Sequence, residues 1–193
     1  MENEKNKRWY IRTKKVYSFL LKVLYKPEVL GKENIPKEGA IIFAGNHKNA
    51  VDPTVLMAST DRLVHFIAKK EAFKGLHGVL FKNIGLIPIN RTKGSPGAIK
   101  MAENILNEGG TIGIFPEGTR NKTENDLLPF KLGAVTMAKK TNAKIIPFAI
   151  KGKYKLFRKG LKIEIGKPIS VTNLEKEEAN KILENEILKL LKR

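Results

Sequence analysis

The stretch TIGIFPEGTR, residues Thr111 to Arg120, sets a short apolar strand directly before a polar turn. Its first half, Thr111 to Phe115, has the pattern of a short buried strand. Its second half, Pro116 to Arg120, ends that strand with proline and glycine and leaves polar side chains at the carboxyl end. Ligands in open α/β sheets bind beyond the carboxyl ends of the strands, so this turn is the first candidate for a functional site.

Outward from this stretch, short apolar strands alternate with helical patterns. Strands are predicted at Ala40–Ala44, Leu63–Ala68, Leu86–Ile89, Thr111–Phe115, Ile145–Ile150 and Leu161–Ile165. Helices are predicted near Pro53–Ser59, Glu71–Lys82, Pro96–Asn107 and Lys131–Lys140, with a terminal helix within Asn173–Arg193. This alternation predicts a single α/β domain, residues 31–193, with a largely parallel or mixed sheet flanked by helices.

Residues 1–30 are predicted to be a separate N-terminal segment with a basic amphipathic helix. Residues 1–26 carry eight Lys or Arg against two Glu. The apolar residues among them are Trp9, Tyr10, Ile11, Val16, Tyr17, Phe19, Leu20, Val23, Leu24 and Tyr25, and Pro27 ends the pattern. Aromatic and basic residues on one helix suit an anionic membrane surface. The alternative is a helix that packs on its own domain.

The charge of the chain indicates a polyanionic partner. With 37 Lys+Arg against 19 Asp+Glu, the formal net charge is +18, which favours nucleic acid, anionic lipid or a phosphorylated substrate. Lysine supplies 30 of the 37 cations, whereas bidentate recognition of bases usually uses arginine. We therefore expect no nucleic-acid partner. The alternative is a lysine-rich solvated surface.

Composition also limits the chemistry. The absence of cysteine excludes a disulfide framework, a thiolate metal site and a cysteine nucleophile. The three histidines, His47, His65 and His77, show no H-E-x-x-H spacing, so no metal site is expected. No stretch without a charged residue exceeds nine residues, too few to span a bilayer, and no secretory signal is evident. The expected location is intracellular.

Two further polar clusters follow predicted strands: Gly45-Asn46-His47 and Asn90-Arg91. His47 and Asp52 are five residues apart, a separation that puts side chains about 140° apart on a continuous helix. The sequence therefore predicts His47 in a loop and Asp52 at the start of the next helix, where Asp-Pro is favoured. The alternative is that Asp52 only caps this helix and His47 is a turn residue.

Four blocks of the chain together resemble the glycerophospholipid acyltransferases. They are Asn46-His47-x4-Asp52, GLIPINR at 85–91, FPEGTR at 115–120 and Ile146-Pro147. The bacterial 1-acyl-glycerol-3-phosphate acyltransferases, which make phosphatidic acid, are the most similar group. Asn49 and Asn121 stand where that family often has serine.

The resemblance implies transfer of an acyl chain to the sn-2 hydroxyl of 1-acyl-glycerol-3-phosphate, with acyl-CoA or acyl carrier protein as co-substrate and no other cofactor. The residue types suit this chemistry, because an imidazole can deprotonate a hydroxyl and a carboxylate can orient the imidazole. His47 is the expected base and Asp52 its partner. With no cysteine and no G-x-S-x-G motif, we expect direct transfer without an acyl-enzyme.

The acceptor site is expected in the other blocks. Arg91 and Arg120 suit a clamp for the acceptor's phosphate, and the alternative for each is an ion pair with Glu117 or another acid. By resemblance, Glu117 orients the glycerol backbone or the neighbouring arginine. Gly118 permits close approach of the backbone, and Thr119 offers a hydroxyl donor.

The enzyme is expected on the cytoplasmic face of the cell membrane, as a peripheral or monotopic protein. Within the same fold, the alternative acceptor is glycerol-3-phosphate or another lysolipid. The alternative from a different class is a noncatalytic, basic lipid- or nucleic-acid-binding module, which rests on net charge alone.

Overall fold

Seven strands form one mixed sheet in the computed structural model, which describes residues 4–69, 86–89 and 96–193. The strands are β1 Glu28–Leu30, β2 Ile41–Gly45, β3 Val64–Lys69, β4 Ile87–Ile89, β5 Thr111–Ile114, β6 Lys144–Gly152 and β7 Leu161–Ile165. Their order across the sheet is β1-β7-β6-β2-β5-β3-β4. Neighbouring strands run parallel except β6 and β7, which are antiparallel.

Helices cover both faces of this sheet. They are α1 Glu4–Tyr25, α2 Asp52–Ser59, α3 Pro96–Asn107, α4 Gly133–Thr141 and α5 Lys176–Lys192, with a short 3-10 turn at Lys32–Asn34. The two faces follow from the period of two in a strand. In β2, Ile41 and Phe43 pack with α1 and α2, while Ile42 and Ala44 pack with α3, α4 and α5. The central strand β2 is therefore buried on both sides.

The prediction of an α/β fold with a largely parallel or mixed sheet is confirmed. The predicted strands and helices that lie within the described residues all occur, with ends shifted by a few residues at most. The sequence does not predict strand β1, because its three residues, two of them exposed, are too few to show an alternation of polar and apolar side chains. The predicted helix Glu71–Lys82 lies outside the described residues.

The N-terminal helix has a packed stripe and an exposed stripe. Tyr10 and Leu21 are buried in the cluster that contains α2. The Tyr10 hydroxyl donates a hydrogen bond to the Val64 carbonyl (2.8 Å) and accepts one from the Val64 N–H (3.0 Å). The exposed large apolar residues of α1 are Trp9, Ile11, Val16, Phe19, Leu20 and Val23. The helix thus packs on its own domain and still presents apolar side chains outward, and its separation as a membrane-binding unit at residue 30 stays a prediction.

Within the part of the chain that the structure describes, no helix combines the length and the apolar character needed to cross a membrane.

Candidate active site

The loops that follow β2 and β5 meet at one edge of the sheet. The two strands are parallel neighbours, so their carboxyl ends lie side by side. The Asn121 N–H donates to the His47 carbonyl (2.6 Å), and the His47 N–H donates to Glu117 Oε1 (2.7 Å). The Gly45-Asn46-His47 cluster and the turn Pro116–Arg120 therefore form one site. Asn90 and Arg91 lie outside the described residues.

His47 and Asp52 form a hydrogen-bonded pair in this site. His47 Nδ1 lies 2.9 Å from Asp52 Oδ2, and Asp52 is buried. The same oxygen accepts the backbone N–H groups of Lys48 (2.8 Å) and Asn49 (2.7 Å), while Oδ1 accepts the hydroxyl of Tyr154. Because these neighbours donate, we assign an ionised Asp52 and a proton on Nδ1. His47 Nε2 then carries the lone pair of a base.

The start of α2 explains how Asp52 reaches His47. The helix begins at Asp52 itself, so Pro53 is its second residue, and Val51 occupies the capping position without a side-chain hydrogen bond. The Asp52 carboxylate turns back toward the loop that precedes the helix. The alternative in which Asp52 only caps α2 does not agree with these contacts.

Three stacked rings orient the imidazole. His47 stacks on Phe115 with ring centroids 4.0 Å apart and planes inclined by 16°, and Phe115 stacks on Phe66 at 5.8 Å. Gly113 allows this arrangement, because a Cβ at this position would lie 2.4 Å from the Phe66 ring. The histidine side chain is 16% exposed. One face of the imidazole is therefore fixed by packing, and part of the ring remains open to solvent.

Glu117 is buried and connects two loops. Its Oε1 accepts the His47 N–H (2.7 Å), and its Oε2 accepts the Leu128 N–H (2.9 Å). Burial raises the pKa of this carboxyl group, and the two backbone donors partly oppose the rise. These contacts position the His47 loop. Contact of Glu117 with the acceptor stays a prediction.

The other candidate residues of the turn are Gly118, Thr119 and Arg120. Gly118 has a φ of +70°, a left-handed conformation that suits glycine, and its N–H donates to the Phe115 carbonyl (2.9 Å). Thr119 and Arg120 are exposed. Among residues 4–69, 86–89 and 96–193, no acidic side chain forms an ion pair with Arg120. The ion-pair alternative for Arg120 therefore lacks support there, and binding of the acceptor by these three residues stays a prediction.

Comparison with known proteins identifies the family. A family model described as Acyltransferase matches residues 26–151. A Bacillus subtilis protein named 1-acyl-sn-glycerol-3-phosphate acyltransferase is 36% identical over 148 residues, which cover 74% of this chain and 73% of the relative. The chain belongs to this acyltransferase family.

Two further comparisons agree with this assignment. A Borreliella burgdorferi protein of the same name is 33% identical over 181 residues, covering 84% of this acyltransferase and 70% of the relative. The crystal structure of the 1-acyl-sn-glycerophosphate acyltransferase from Thermotoga maritima superposes with a TM-score of 0.73, covering 98% of this chain and 81% of that one. At 23% identity this superposition shows a shared fold. The chain is therefore an O-acyltransferase, as the four sequence blocks predicted.

Two residues of this acyltransferase site escaped the sequence analysis. Tyr154 bonds to Asp52 across 102 positions of the chain. The Lys131 side chain covers the turn, with Nζ 3.0 Å from the position that a Cβ on Gly118 would take. Neither belongs to a recognisable motif. Tyr154 follows β6 and Lys131 precedes α4, so only the three-dimensional course of the chain brings them to the site.

No group of three or more His, Asp or Glu side chains gathers as potential metal ligands among the residues that the structure describes. The expectation of a metal-free and cofactor-free reaction stays a prediction.

Proposed function

We propose that this acyltransferase transfers an acyl chain from acyl-CoA or acyl carrier protein to the sn-2 hydroxyl of 1-acyl-sn-glycerol-3-phosphate, giving phosphatidic acid. The observation that carries the proposal is the pair of His47 and Asp52 at the carboxyl edge of the sheet, at 2.9 Å. The names of the Bacillus and Borreliella relatives support this choice of acceptor. A phosphorylated lipid product assigns the enzyme to phospholipid biosynthesis.

In the proposed mechanism, His47 Nε2 removes the proton of the acceptor hydroxyl while its oxygen attacks the thioester carbonyl carbon. Asp52 stabilises the imidazolium that forms and keeps Nδ1 protonated. Collapse of the tetrahedral intermediate breaks the C–S bond, and the leaving sulfur takes the proton back from Nε2. The ester forms directly on the acceptor, so no acyl-enzyme is required.

The acceptor's phosphate is proposed to bind beside this pair. Arg120 is exposed next to the His47 loop, and Lys131 lies over Gly118 in the same turn. Charge-assisted bonds from a guanidinium favour a phosphate group. Arg91 is the second proposed arm of this clamp, and Thr119 supplies a hydroxyl donor.

The proposed location is an anionic membrane surface on the cytoplasmic side, with α1 as the contact. The exposed apolar residues of this helix are flanked by exposed basic residues, including Lys15 and Lys22. Cations near anionic lipid attract the surface, while apolar side chains insert below the headgroups. The proposed acceptor and product are membrane lipids, so contact of α1 with the bilayer brings the enzyme to its substrate.

The test is an assay of purified protein with radiolabelled acyl-CoA or acyl carrier protein against 1-acyl-glycerol-3-phosphate and glycerol-3-phosphate. We expect labelled phosphatidic acid with the first acceptor and loss of it in the Asp52→Asn variant, which preserves the size of the side chain. Label on glycerol-3-phosphate alone would replace the proposed acceptor. No transfer with either acceptor, in protein shown by circular dichroism to be folded, would contradict the proposed reaction.

A further inference from the structure

The loop between β6 and β7 presents apolar side chains and cations together. Leu156 and Phe157 are 56% and 61% exposed. The loop cations are Lys153, Lys155, Arg158 and Lys159, all exposed, and no acidic residue lies among them. Phe157 has a φ of +60°, a left-handed conformation that is uncommon for a bulky residue. An aromatic side chain is thus presented to solvent at a conformationally unfavourable position, which indicates that its exposure has a use.

This loop is joined to the C-terminal half of α1. The Phe157 N–H donates to the Leu24 carbonyl, and the Tyr154 ring makes an edge contact with Tyr25 at 5.4 Å. Along α1, the exposed residues Val16, Phe19, Leu20 and Val23 have the spacing i, i+3, i+4 and i+7 of a single helical face. The loop therefore lies at the C-terminal end of the helix that carries this exposed apolar stripe.

We propose that residues 153–159 form a second membrane-docking element, which makes one lipid surface with the exposed face of α1 next to the catalytic pair. The occupant is an anionic bilayer. Large apolar side chains flanked by cations suit the headgroup boundary, where the apolar side chains insert and the cations meet anionic lipid. The inference rests on the proposed membrane contact of α1 and extends it to a loop whose Tyr154 contacts Asp52.

The experiment compares the double variant Leu156→Ser/Phe157→Ser with Ile99→Ser/Met101→Ser. The control pair is also exposed, at 41% and 50%, but lies on α3, against the opposite face of the sheet. Each purified full-length protein is sedimented with vesicles of phosphatidylcholine containing phosphatidylglycerol. Loss of two inserting side chains should lower the binding constant about tenfold for the loop variant, and leave the control unchanged.

A second arm tests the charges. Lys155→Gln/Lys159→Gln should lower binding to the anionic vesicles about tenfold or more at low salt, and this difference should shrink at high salt. Undiminished pelleting of both loop variants would overturn the proposal. If they bind vesicles normally but lose transfer only from acyl carrier protein, the loop docks an acidic protein and the bilayer assignment is wrong. Vesicle binding is measured without acyl transfer, so failure here is distinct from failure of the proposed reaction.

Tyr154, in the same loop, makes a separate contact with the His47–Asp52 pair. Its hydroxyl donates to Asp52 Oδ1, the oxygen that does not contact His47. Burial, followed by the charge of Asp52, raises the pKa of this phenol, so that it remains a donor across the working range. Both oxygens of the Asp52 carboxylate therefore make hydrogen bonds, one with His47 and one with Tyr154.

We infer that Tyr154 is a positioning residue, which holds the Asp52 carboxylate in the orientation that His47 requires. The test is Tyr154→Phe, with Tyr25→Phe as the matched control, since Tyr25 touches the Tyr154 ring without contacting Asp52. We expect kcat to fall about five- to thirtyfold with KM unchanged for both substrates, because one charge-assisted bond is lost away from the substrate.

The low-field proton resonance of the Nδ1–H between His47 and Asp52 provides a second measurement. It should shift in Tyr154→Phe and stay in place in Tyr25→Phe. Unchanged kcat together with an unshifted resonance would show that Tyr154 only packs. A rise in KM equal to the fall in kcat would instead indicate contact with substrate and would equally overturn the positioning role.

Discussion

Arg62 and Arg120 lie at opposite edges of the same sheet and differ in every contact. Arg62, at the amino edge, donates from Nε to Thr111 Oγ1 (2.7 Å) and from Nη1 to the Pro36 carbonyl (3.0 Å). Its Nη2 donates to the carbonyls of Gly39 (2.6 Å) and Gly109 (2.9 Å). Arg120, at the carboxyl edge, is exposed and forms no ion pair within the described residues.

The difference separates a structural edge from the edge that carries the proposed active site. At the amino edge the guanidinium is partly buried and its donors are used by the loops that precede β2 and β5. At the carboxyl edge, the described residues leave His47 Nε2 and Arg120 without a hydrogen-bond partner. A site must keep such groups open for substrate, whereas a fold is most stable when they are satisfied. Substitutions at the two edges should therefore separate activity from stability.

The largest effect is expected for His47→Ala. Removing the base should lower kcat by about 10² to 10⁴-fold. The protein should stay folded with a modestly lower melting temperature, because the stacking on Phe115 and the hydrogen bond to Asp52 are lost while Lys48 and Asn49 still donate to the Asp52 carboxylate. Turnover is measured with saturating donor and acceptor, and folding by circular dichroism. A variant that keeps more than about a tenth of wild-type turnover would exclude His47 as the base.

Arg62→Met should have the next largest effect, on stability instead of activity. The methionine side chain replaces much of the apolar stem of Arg62, but Thr111 Oγ1 and three carbonyls lose their donor. The free energy of unfolding should therefore fall by about 2 to 4 kcal/mol. Urea denaturation measures it. KM for both substrates should stay at the wild-type value in the folded fraction. A large rise in KM for the acceptor alone would contradict a purely structural role for Arg62.

Arg120→Ala should produce the opposite result. We expect KM for the phosphorylated acceptor to rise about tenfold or more, with little change for the acyl donor, since a charge-assisted contact is lost. The unfolding midpoint should stay the same. Arg91→Ala should behave alike if it is the second arm of the clamp. Equal changes in KM for donor and acceptor would indicate a general distortion of the site.

The smallest effect concerns Lys14, which packs near the amino edge and donates to the Arg62 carbonyl (2.6 Å). Burial lowers the pKa of Lys14 to about 8 from its usual 10.5; nearby Asp61 opposes this, and Lys32 adds to it. Between these two values the unfolded chain binds more protons than the folded one, so this group makes stability rise with pH from about 8 to 10.5.

Lys14→Met should remove that contribution. The stability of the variant relative to wild type should be highest near pH 7.5 and decline by about 1 kcal/mol toward pH 10.5, after allowance for solvent screening of a partly exposed group. Urea denaturation of both proteins at the two pH values provides the comparison. A difference that does not depend on pH would mean that Lys14 is charged at no cost in the folded protein.

Deletion of the N-terminal helix is a poor test of its membrane contact. Deletion of residues 1–26 would remove Tyr10 and Leu21 from the core along with the exposed stripe. Large core side chains contribute about 2 to 5 kcal/mol each, so a truncated chain would confound folding with membrane binding. Substitutions such as Phe19→Ser, at exposed positions of α1, test the membrane contact without this confusion.

The sequence by itself determined the α/β alternation, the ends of most elements to within a few residues, and the pairing of His47 with Asp52. These properties are local. A strand period, a strand-to-turn boundary and an H-x4-D spacing are all complete within about ten residues, and FPEGTR at 115–120 is recognisable as a motif. In β2, where Ile41 to Ala44 are all apolar, the period of two tells which residues share a face, but only the structure shows which helices cover each face.

Only the tertiary structure decided which groups these residues meet. Glu117 received a substrate-binding role by resemblance, but its two oxygens lie against the N–H groups of His47 and Leu128. Arg62 carried no motif, and Tyr154 lies 102 positions from the carboxylate that it contacts. Such contacts depend on how the parallel strands place their loops at a common edge of the sheet. They also depend on which hydrogen-bond donors the packing brings within reach of each acceptor. Neither property is contained in a local pattern, because it arises from the packing of distant segments.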